Sequence, residues 1–417
     1  MKATLLTIGD ELLIGQIVDA NAAWLARECN RCGIEVVRAL TVGDEKAAIA
    51  RAFGEAMIDS NIVIATGGLG PTPDDVTREA VAGMLGVAMR VDTTVLHRVR
   101  ERFRERSWPL SPISERVALV PDGFEVLPNA AGTAPGLWRV HEQSGVQCIL
   151  TLVPGVPREM KGIFRDHIAP RLRAMAGARV VAHRTLRTVG IGESRLQELM
   201  GDLSNYMDDT LRVASLPSAG QVRLRLSATG ADQAVVCKRL DDLESHLRET
   251  IGPYIYGVDG ETLEEVVGRA LKRRGLTVAV AESCTGGLVL HRLTNTPGSS
   301  AYVAGGIVAY ANAIKTRTLG VQHETLQAHG AVSREVAKQM ALGVRERLDA
   351  DYGLATTGIA GPKGGTASKP VGTVWVGCSG PLRTGARRFA FGKDRATNKT
   401  RSAIAALDML RKRLLEA

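Results

Sequence analysis

NIVIATGGLGPTPDDVTREAVAGML, residues 61–85, joins a strand-length apolar run to a helical pattern through a turn of glycines, prolines and acids. An apolar run without polar alternation reads as a strand buried on both faces. Beyond the turn the apolar positions recur at helical spacing, so a helix is expected over Asp74 to Leu85. The same order stands upstream: ATLLTIG leads into a helix from Asn21 to Cys32, and IEVVRAL into one from Glu45 to Met57. Short strands alternating with helices predict a parallel sheet covered on both faces, an α/β fold.

Ligands of such sheets bind beyond the carboxyl ends of the strands. Polar residues gather there: Asp10 and Glu11 after the first run, Asp44 after the second, and Gly67, Gly68, Gly70, Thr72, Asp74 and Asp75 after the third. The glycines let backbone N–H groups turn toward a ligand, and Thr72 or Asp74 can cap the next helix, whose positive end suits a phosphate. The acids, with Glu159 of VPGVPREM, would repel that phosphate unless a divalent cation (Mg²⁺, Mn²⁺ or Co²⁺) lay between them. Metal-assisted attack on a phosphoanhydride is the chemistry expected. The plainer alternative is a set of turns whose acids complement helix dipoles.

A chain of 417 residues exceeds one ordinary core, so two or three domains are expected. With 45% hydrophobic and 23% charged residues the composition is globular. No run approaches the ~18 apolar residues of a membrane span, and MKATLLTIGDELL meets acids too early for a signal peptide, so a cytoplasmic protein without membrane partners is expected. The net charge of +9 is scattered and aromatics make up only 4%, which argues against a nucleic-acid surface. Six cysteines do not make a disulfide framework, and Cys29-x-x-Cys32 lacks a second ligand pair.

The segment that ends near Gly257 changes texture. A strand-like HRTLRTVG, a helix opening GESRLQELM, a strand-like QVRLRLSATG and a helix over Asp232 to Ile251 suggest a small α+β module, with Gly252-Pro253 as a hinge. A second α/β series follows. In it AVAESCTGGLVLHRL, residues 279–293, places Ser283 at a strand's carboxyl end and at the entrance to a helix. A hydroxyl there can act as a nucleophile, and the amides of Thr285, Gly286 and Gly287 can stabilise an oxyanion. The alternative is that Ser283 and Thr285 merely cap the helix.

No histidine has a suitable setting as a base; His291 reads as a surface residue. Tyr310 and Lys315 follow the apolar GGIVA run and can reach the same sheet edge, where a desolvated lysine accepts a proton. A second loop with Thr357, Gly358, Ala360 and Gly361 can orient the nucleophile or bind a carbonyl or phosphate. Arg395, Lys399 and Arg401 offer charge for a nucleotide phosphate.

These motifs carry a resemblance. IGDELLIGQIVDAN, TGGLGPTPDDVT, NAAGTAPG and PGVPREM resemble the N-terminal domain of the CinA family, competence/damage-inducible proteins that share the fold of molybdopterin-binding proteins. That resemblance implies a metal-dependent ADP-ribose pyrophosphatase in some members; the same fold elsewhere binds a pterin nucleotide. AESCTGGL, TNTPGSSAYVAGGIVAYANAIK, HGAVSREVA and TTGIAGPKGGTASKPVGTVWVG resemble the family's C-terminal nicotinamide mononucleotide deamidase domain. The implied division is 1–175 molybdopterin-binding-like with a parallel sheet, 176–256 KH-like α+β, and 257–417 α/β amidase.

The implied reaction hydrolyses the carboxamide to nicotinate mononucleotide and ammonia. Ser283 would be the nucleophile, Lys315 and Tyr310 the proton-transfer partners, Thr357 a hydroxyl holding serine or substrate, and Arg395 or Arg401 a phosphate contact. No cofactor is implied for that step. Ala311 and Ala313 stand where the family usually has serine and glutamate, and Lys399 where it usually has arginine. The middle module lacks a convincing GXXG loop, Gly190-Ile191-Gly192-Glu193 being the nearest approach, so a spacer or dimer-arranging role is expected over RNA binding. A homodimer is the expected assembly. The rival readings are a non-enzymatic binding protein linked to DNA uptake or repair, and an N-terminal pterin or nucleotide binder without hydrolysis.

Overall fold

The computed structural model describes every residue except Trp108, Ser144, Ala178, Arg179 and Ala417, so two residues of the expected middle segment and the last of the third lie outside the described residues. The chain divides into two compact units, residues 1–182 with 228–237, and residues 183–227 with 238–417.

The first unit holds β1 (Lys2–Ile8), β2 (Glu35–Val42), β3 (Ile62–Thr66), β4 (Met89–Val91), β5 (Leu119–Pro121), β6 (Glu125–Leu127), β7 (Gly136–Gln143) and β8 (Val146–Val153). Six of them form a sheet of order β2-β1-β3-β8-β7-β6, and β4 pairs with β5 apart from it. Strands β1, β2, β3 and β8 are parallel, as the alternating pattern predicts. The sheet is not wholly parallel, however: β7 runs antiparallel to β8 and β6. Antiparallel neighbours need no helix between them, so the strand–helix alternation that reveals β1 to β3 is silent there. β3 is buried along its whole length. The helix after it starts at Thr77, three residues later than Asp74. Neither Thr72 nor Asp74 caps it; its N-cap is Val76, without a side-chain bond.

Cys29 and Cys32 are free thiols in this unit's core, and burial pushes both above the ordinary thiol value. Packing accounts for their spacing.

Most of a second sheet lies in the second unit: β9 (Val180–Val189), β10 (Leu211–Ser218), β11 (Gln221–Gly230) and β12 (Ile255–Val258), in the order β10-β11-β9-β12, with residues 180–182 and 228–230 counted in the first unit. Gly252-Pro253 is not a free hinge: it lies in a single 3₁₀ turn, and β12 after it pairs antiparallel with β9. The following helix Leu263–Arg274 opens on a capping box between Thr262 and Glu265 and ends on left-handed Gly275.

The C-terminal sheet is built from β13 (Val278–Glu282), β14 (Val303–Val308), β15 (Tyr352–Gly358), β16 (Thr373–Ser379) and β17 (Thr384–Ala390), in the order β14-β13-β15-β16-β17. Along β13 the faces alternate. Val278 and Val280 join a cluster with Leu263, Val267, Leu271 and Leu407, while Ala279 and Ala281 join Val336, Met340 and Val344 of the helix Arg334–Arg347. Both faces are thus covered, and β13 is buried throughout. Its neighbours β14 and β15 run parallel to it, so the carboxyl ends of all three strands emerge at one edge. β16 and β17 are antiparallel. Among the described residues, no helix is long and apolar enough to cross a membrane.

Candidate active site

The edge where β13, β14 and β15 end brings together Ser283, Lys315 and the Thr356–Thr357 pair. Ser283 follows β13 directly, and its amide donates to Thr356 O at 2.9 Å. Lys315 lies on the helix Asn312–Leu319 and is 1% exposed, an unusual setting for a lysine that needs a specific cause. Its Nζ stands 3.2 Å from Ser283 Oγ, and it donates to the carbonyls of Ala309 (2.8 Å) and Tyr310 (3.1 Å). No carboxylate is among these partners, and burial pushes the Lys315 ammonium below its ordinary value. Cys284, next to the serine, is the opposite case: burial pushes its thiol up to about 12, so it remains protonated.

Glu282, which the sequence reading passed over, shapes the turn. Its carboxylate is 1% exposed and accepts from the amides of Gly287 (2.9 Å), Val289 (3.1 Å) and Leu290 (2.8 Å). The start of the helix Leu288–Thr294 is therefore satisfied from within, and Gly287 has no amide to spare for an oxyanion. No acceptor takes the amides of Thr285 or Gly286 among the described residues, so the expectation narrows to these two. Gly286 has φ +62° and Gly287 φ +96°, which explains the glycine pair. Thr285 Oγ1 is 2.6 Å from Thr356 Oγ1, locking the turn onto β15.

The remaining expected residues divide. Thr357 is 1% exposed, but its hydroxyl donates to Ala331 O at 2.7 Å and holds the loop before the helix Arg334–Arg347. Tyr310 is 64% exposed and its hydroxyl meets Arg395 at 3.4 Å; among the described residues its phenol makes no hydrogen bond to Ser283 or Lys315. Arg395 also donates to Gly361 O at 2.9 Å. Gly358 belongs to β15, while the amides of Ala360 and Gly361 have no acceptor among the described residues. Lys399 Nζ reaches 3.8 Å from where a β-carbon on Gly286 would sit, so this cation overlooks the nucleophile turn. Arg401 does not join it: it packs on Gly220 and lines a separate cavity. Asn398, also missed in the sequence, is fully buried and donates to Ala360 O (2.9 Å) and Gly392 O (2.8 Å), tying two loops together. His291 is exposed, as expected.

In the first unit, Glu11, Asp44, Asp74, Asp75 and Glu159 line one cleft of about 400 Å³ with Gly67, Gly68 and Gly70. The glycine loop is more occupied than its sequence suggests. The amide of Gly67 donates to Val153 O, and Asp75 takes the amides of Gly70 (2.8 Å) and Thr72 (2.9 Å) as well as the Thr72 hydroxyl. Of the four residues of this loop expected to bind phosphate, Gly67, Gly68, Gly70 and Thr72, only the Gly68 amide has no acceptor among the described residues. Arg78, buried and equally unforeseen, donates to Leu69 O (3.0 Å) and Gly70 O (2.9 Å) and fixes the loop from behind.

The acids are committed too. Asp10 and Asp44 exchange bonds with each other's backbone amides at 3.2 and 2.9 Å, and Glu159 accepts from Asn129 at 2.6 Å while its carboxylate lies against Gly132. Burial, and then the charges of Asp10, Glu11 and Asp74, raise the Asp44 carboxyl above its ordinary value. Among the described residues no three His, Cys, Asp or Glu side chains are arranged to hold a metal ion. Five of the six expected ligands therefore line one cleft, Asp10 is tied to Asp44, and among the described residues they do not form a coordination group.

A doubly covered α/β domain with a polar edge, a four-stranded module, and a second α/β domain with a buried serine–lysine pair define the class: a multidomain α/β protein with two separate candidate ligand sites. Comparison with known proteins gives a three-part division of the chain. A "Probable molybdopterin binding domain" matches residues 4–174, a "Damage-inducible protein CinA KH domain" residues 183–257, and a "CinA C-terminal domain" residues 260–414. A CinA-like protein of Salinibacter ruber is 50% identical over 414 residues, covering 99% of this chain and 100% of that one. Another of Gemmatimonas aurantiaca is 43% identical over 415 residues, covering 99% and 96%. The crystal structure of competence/damage inducible protein CihA from Agrobacterium tumefaciens matches at 40% identity, covering 36% of this chain and 96% of that one with a TM-score of 0.35. The chain belongs to the CinA family.

Proposed function

We propose that the C-terminal domain hydrolyses the carboxamide of nicotinamide mononucleotide to nicotinate mononucleotide and ammonia. The observation that carries this reading is the buried Lys315 Nζ, 3.2 Å from Ser283 Oγ and backed by two carbonyls. A neutral amine has two N–H groups and one lone pair. The carbonyls of Ala309 and Tyr310 take the two N–H groups, which leaves the lone pair for the serine proton. Burial favours that neutral state.

Ser283 Oγ attacks the carboxamide carbon as its proton passes to Lys315, and the oxygen that gains charge has the amides of Thr285 and Gly286 available. The carbon–nitrogen bond then breaks as Lys315 returns the proton to the leaving amine, releasing ammonia. Water attacks the acyl-serine, losing its proton to Lys315, and the regenerated serine takes that proton back. Lys399 and Arg395 offer charge for the phosphate of the nucleotide. The test is ammonia release from nicotinamide mononucleotide in EDTA. The Ser283→Ala variant should lose about three orders of magnitude or more; a parent protein that releases none overturns the reading.

A second reading rests on the separate cleft that Gly68, Glu11, Asp44 and Asp74 line together. It assigns that cleft ADP-ribose as ligand and a divalent-metal-dependent pyrophosphatase activity, so that both domains would process pyridine-nucleotide fragments in the cytoplasm. Assembly as a homodimer belongs to the same proposal, and light scattering on the purified chain tests it.

A further inference from the structure

A cavity of about 430 Å³ lies inside the second unit, lined by β17 and the last helix, Arg395–Glu416, together with the turn after β9 and the β10–β11 hairpin. Ser283, Lys315 and Thr357 are not among its lining residues. On β17, alternate residues share a face, and that row carries Arg387 and Phe389, with Phe391 just beyond. The two phenyl rings stack with centroids 5.7 Å apart, and the Arg387 guanidinium stands 5.2 Å from the centre of Phe389. The chain has only six phenylalanines, yet two are left partly exposed at this one cavity. A folding core gains nothing from leaving them so.

The polar side of the cavity points the same way. Among the described residues, Arg401 Nε and Gln221 Nε2 are both buried without a hydrogen-bond partner, and both residues line the cavity from different elements. Unpaired buried donors are costly and call for an acceptor. The acids nearby do not supply one. Asp408 is taken by Arg411 and Lys412, each at 2.8 Å, and Glu193 stands exposed at the start of its helix. Aromatic faces, an overlying guanidinium and two orphaned donors suit a flat ring that carries anionic oxygens.

We propose that this cavity binds an anionic planar-ring compound of mononucleotide size, its ring against Phe389 and Phe391 and its oxygens accepting from Arg401 and Gln221. The volume falls in the range of small-molecule sites. Calorimetry of the full chain with AMP as probe, beside inorganic phosphate, adenosine and a single-stranded oligoadenylate, tests it. Phe389→Leu keeps the apolar bulk without the ring, and Gln221→Leu removes one donor; thermal midpoints report whether each variant still folds. AMP should bind more tightly than either phosphate or adenosine, and each variant should weaken it by about tenfold. If Phe389→Leu fails to fold, Gln221→Leu still decides. An unchanged AMP affinity in the folded variants overturns the proposal, as does phosphate binding equal to that of AMP, or capture of the oligonucleotide without AMP.

Discussion

At the scale of single residues, Lys315 sets the chemistry. A lysine ordinarily titrates near 10.5, and burial lowers this one. Only the neutral amine can accept the serine proton, so kcat/KM for ammonia release should rise with pH through the lowered value and level off before the ordinary lysine range. The stability consequence has the same direction. Between the lowered folded value and the ordinary unfolded one, the unfolded chain holds a proton that the folded chain lacks, so stability also rises with pH across that window. A pH–rate profile checks the first point, and a rising limb placed at the ordinary lysine value would count against Lys315 as base. Tyr310→Phe should leave the limb in place, because its phenol meets Arg395 while its backbone carbonyl holds the lysine.

At the scale of elements, the nucleophile turn depends on a buried acid. Glu282 accepts three amides at the start of the helix Leu288–Thr294. Glu282→Ala would leave the buried Val289 amide and the partly buried Gly287 and Leu290 amides without this acceptor, at a cost of about 2–4 kcal/mol. Glu282→Gln keeps an acceptor oxygen and should cost less, about 1–2 kcal/mol, since the bonds lose their charge. Denaturant midpoints of the two variants measure this, and equal midpoints for parent and Glu282→Ala would show that the turn holds itself. The strand β13 and the serine and glycines of the turn after it are legible in the sequence because an apolar run stops abruptly at hydroxyls. Glu282 is not, because a strand-terminal acid reads as one more polar loop residue until the fold turns the helix start toward it. The same limit hides Arg78 behind the glycine loop of the first unit, and hides that Asp75, legible as a loop acid, takes the amides of Gly70 and Thr72. Which amides are spent is a three-dimensional count that spacing alone does not give.

At the scale of the whole molecule, each of the two compact units carries a candidate site at the edge of a parallel sheet, and the sequence foretells which strands border it because parallel strands must deliver their loops to one edge. It does not foretell whether the acids at that edge converge, and in the first unit no metal-holding group forms among the described residues. Asp44 is the residue on which the two readings of that cleft diverge. Its carboxyl is raised by burial and by neighbouring acids, so across the window between the ordinary value and the raised one the folded chain holds a proton that the unfolded chain has lost. Stability therefore falls as pH rises through that window, and the penalty persists at neutral pH. Asp44→Asn removes the charge yet keeps an oxygen to accept the Asp10 amide. It should raise the thermal midpoint by about 1–3 °C at neutral pH, with ammonia release from nicotinamide mononucleotide unchanged. If the cleft turns over ADP-ribose with a divalent cation, the same substitution should abolish that turnover, because a crowd of acids kept at a cost in stability is then kept for function. A raised midpoint with no ADP-ribose turnover in the parent, at any of Mg²⁺, Mn²⁺ or Co²⁺, would leave the cleft as a binding site without hydrolysis.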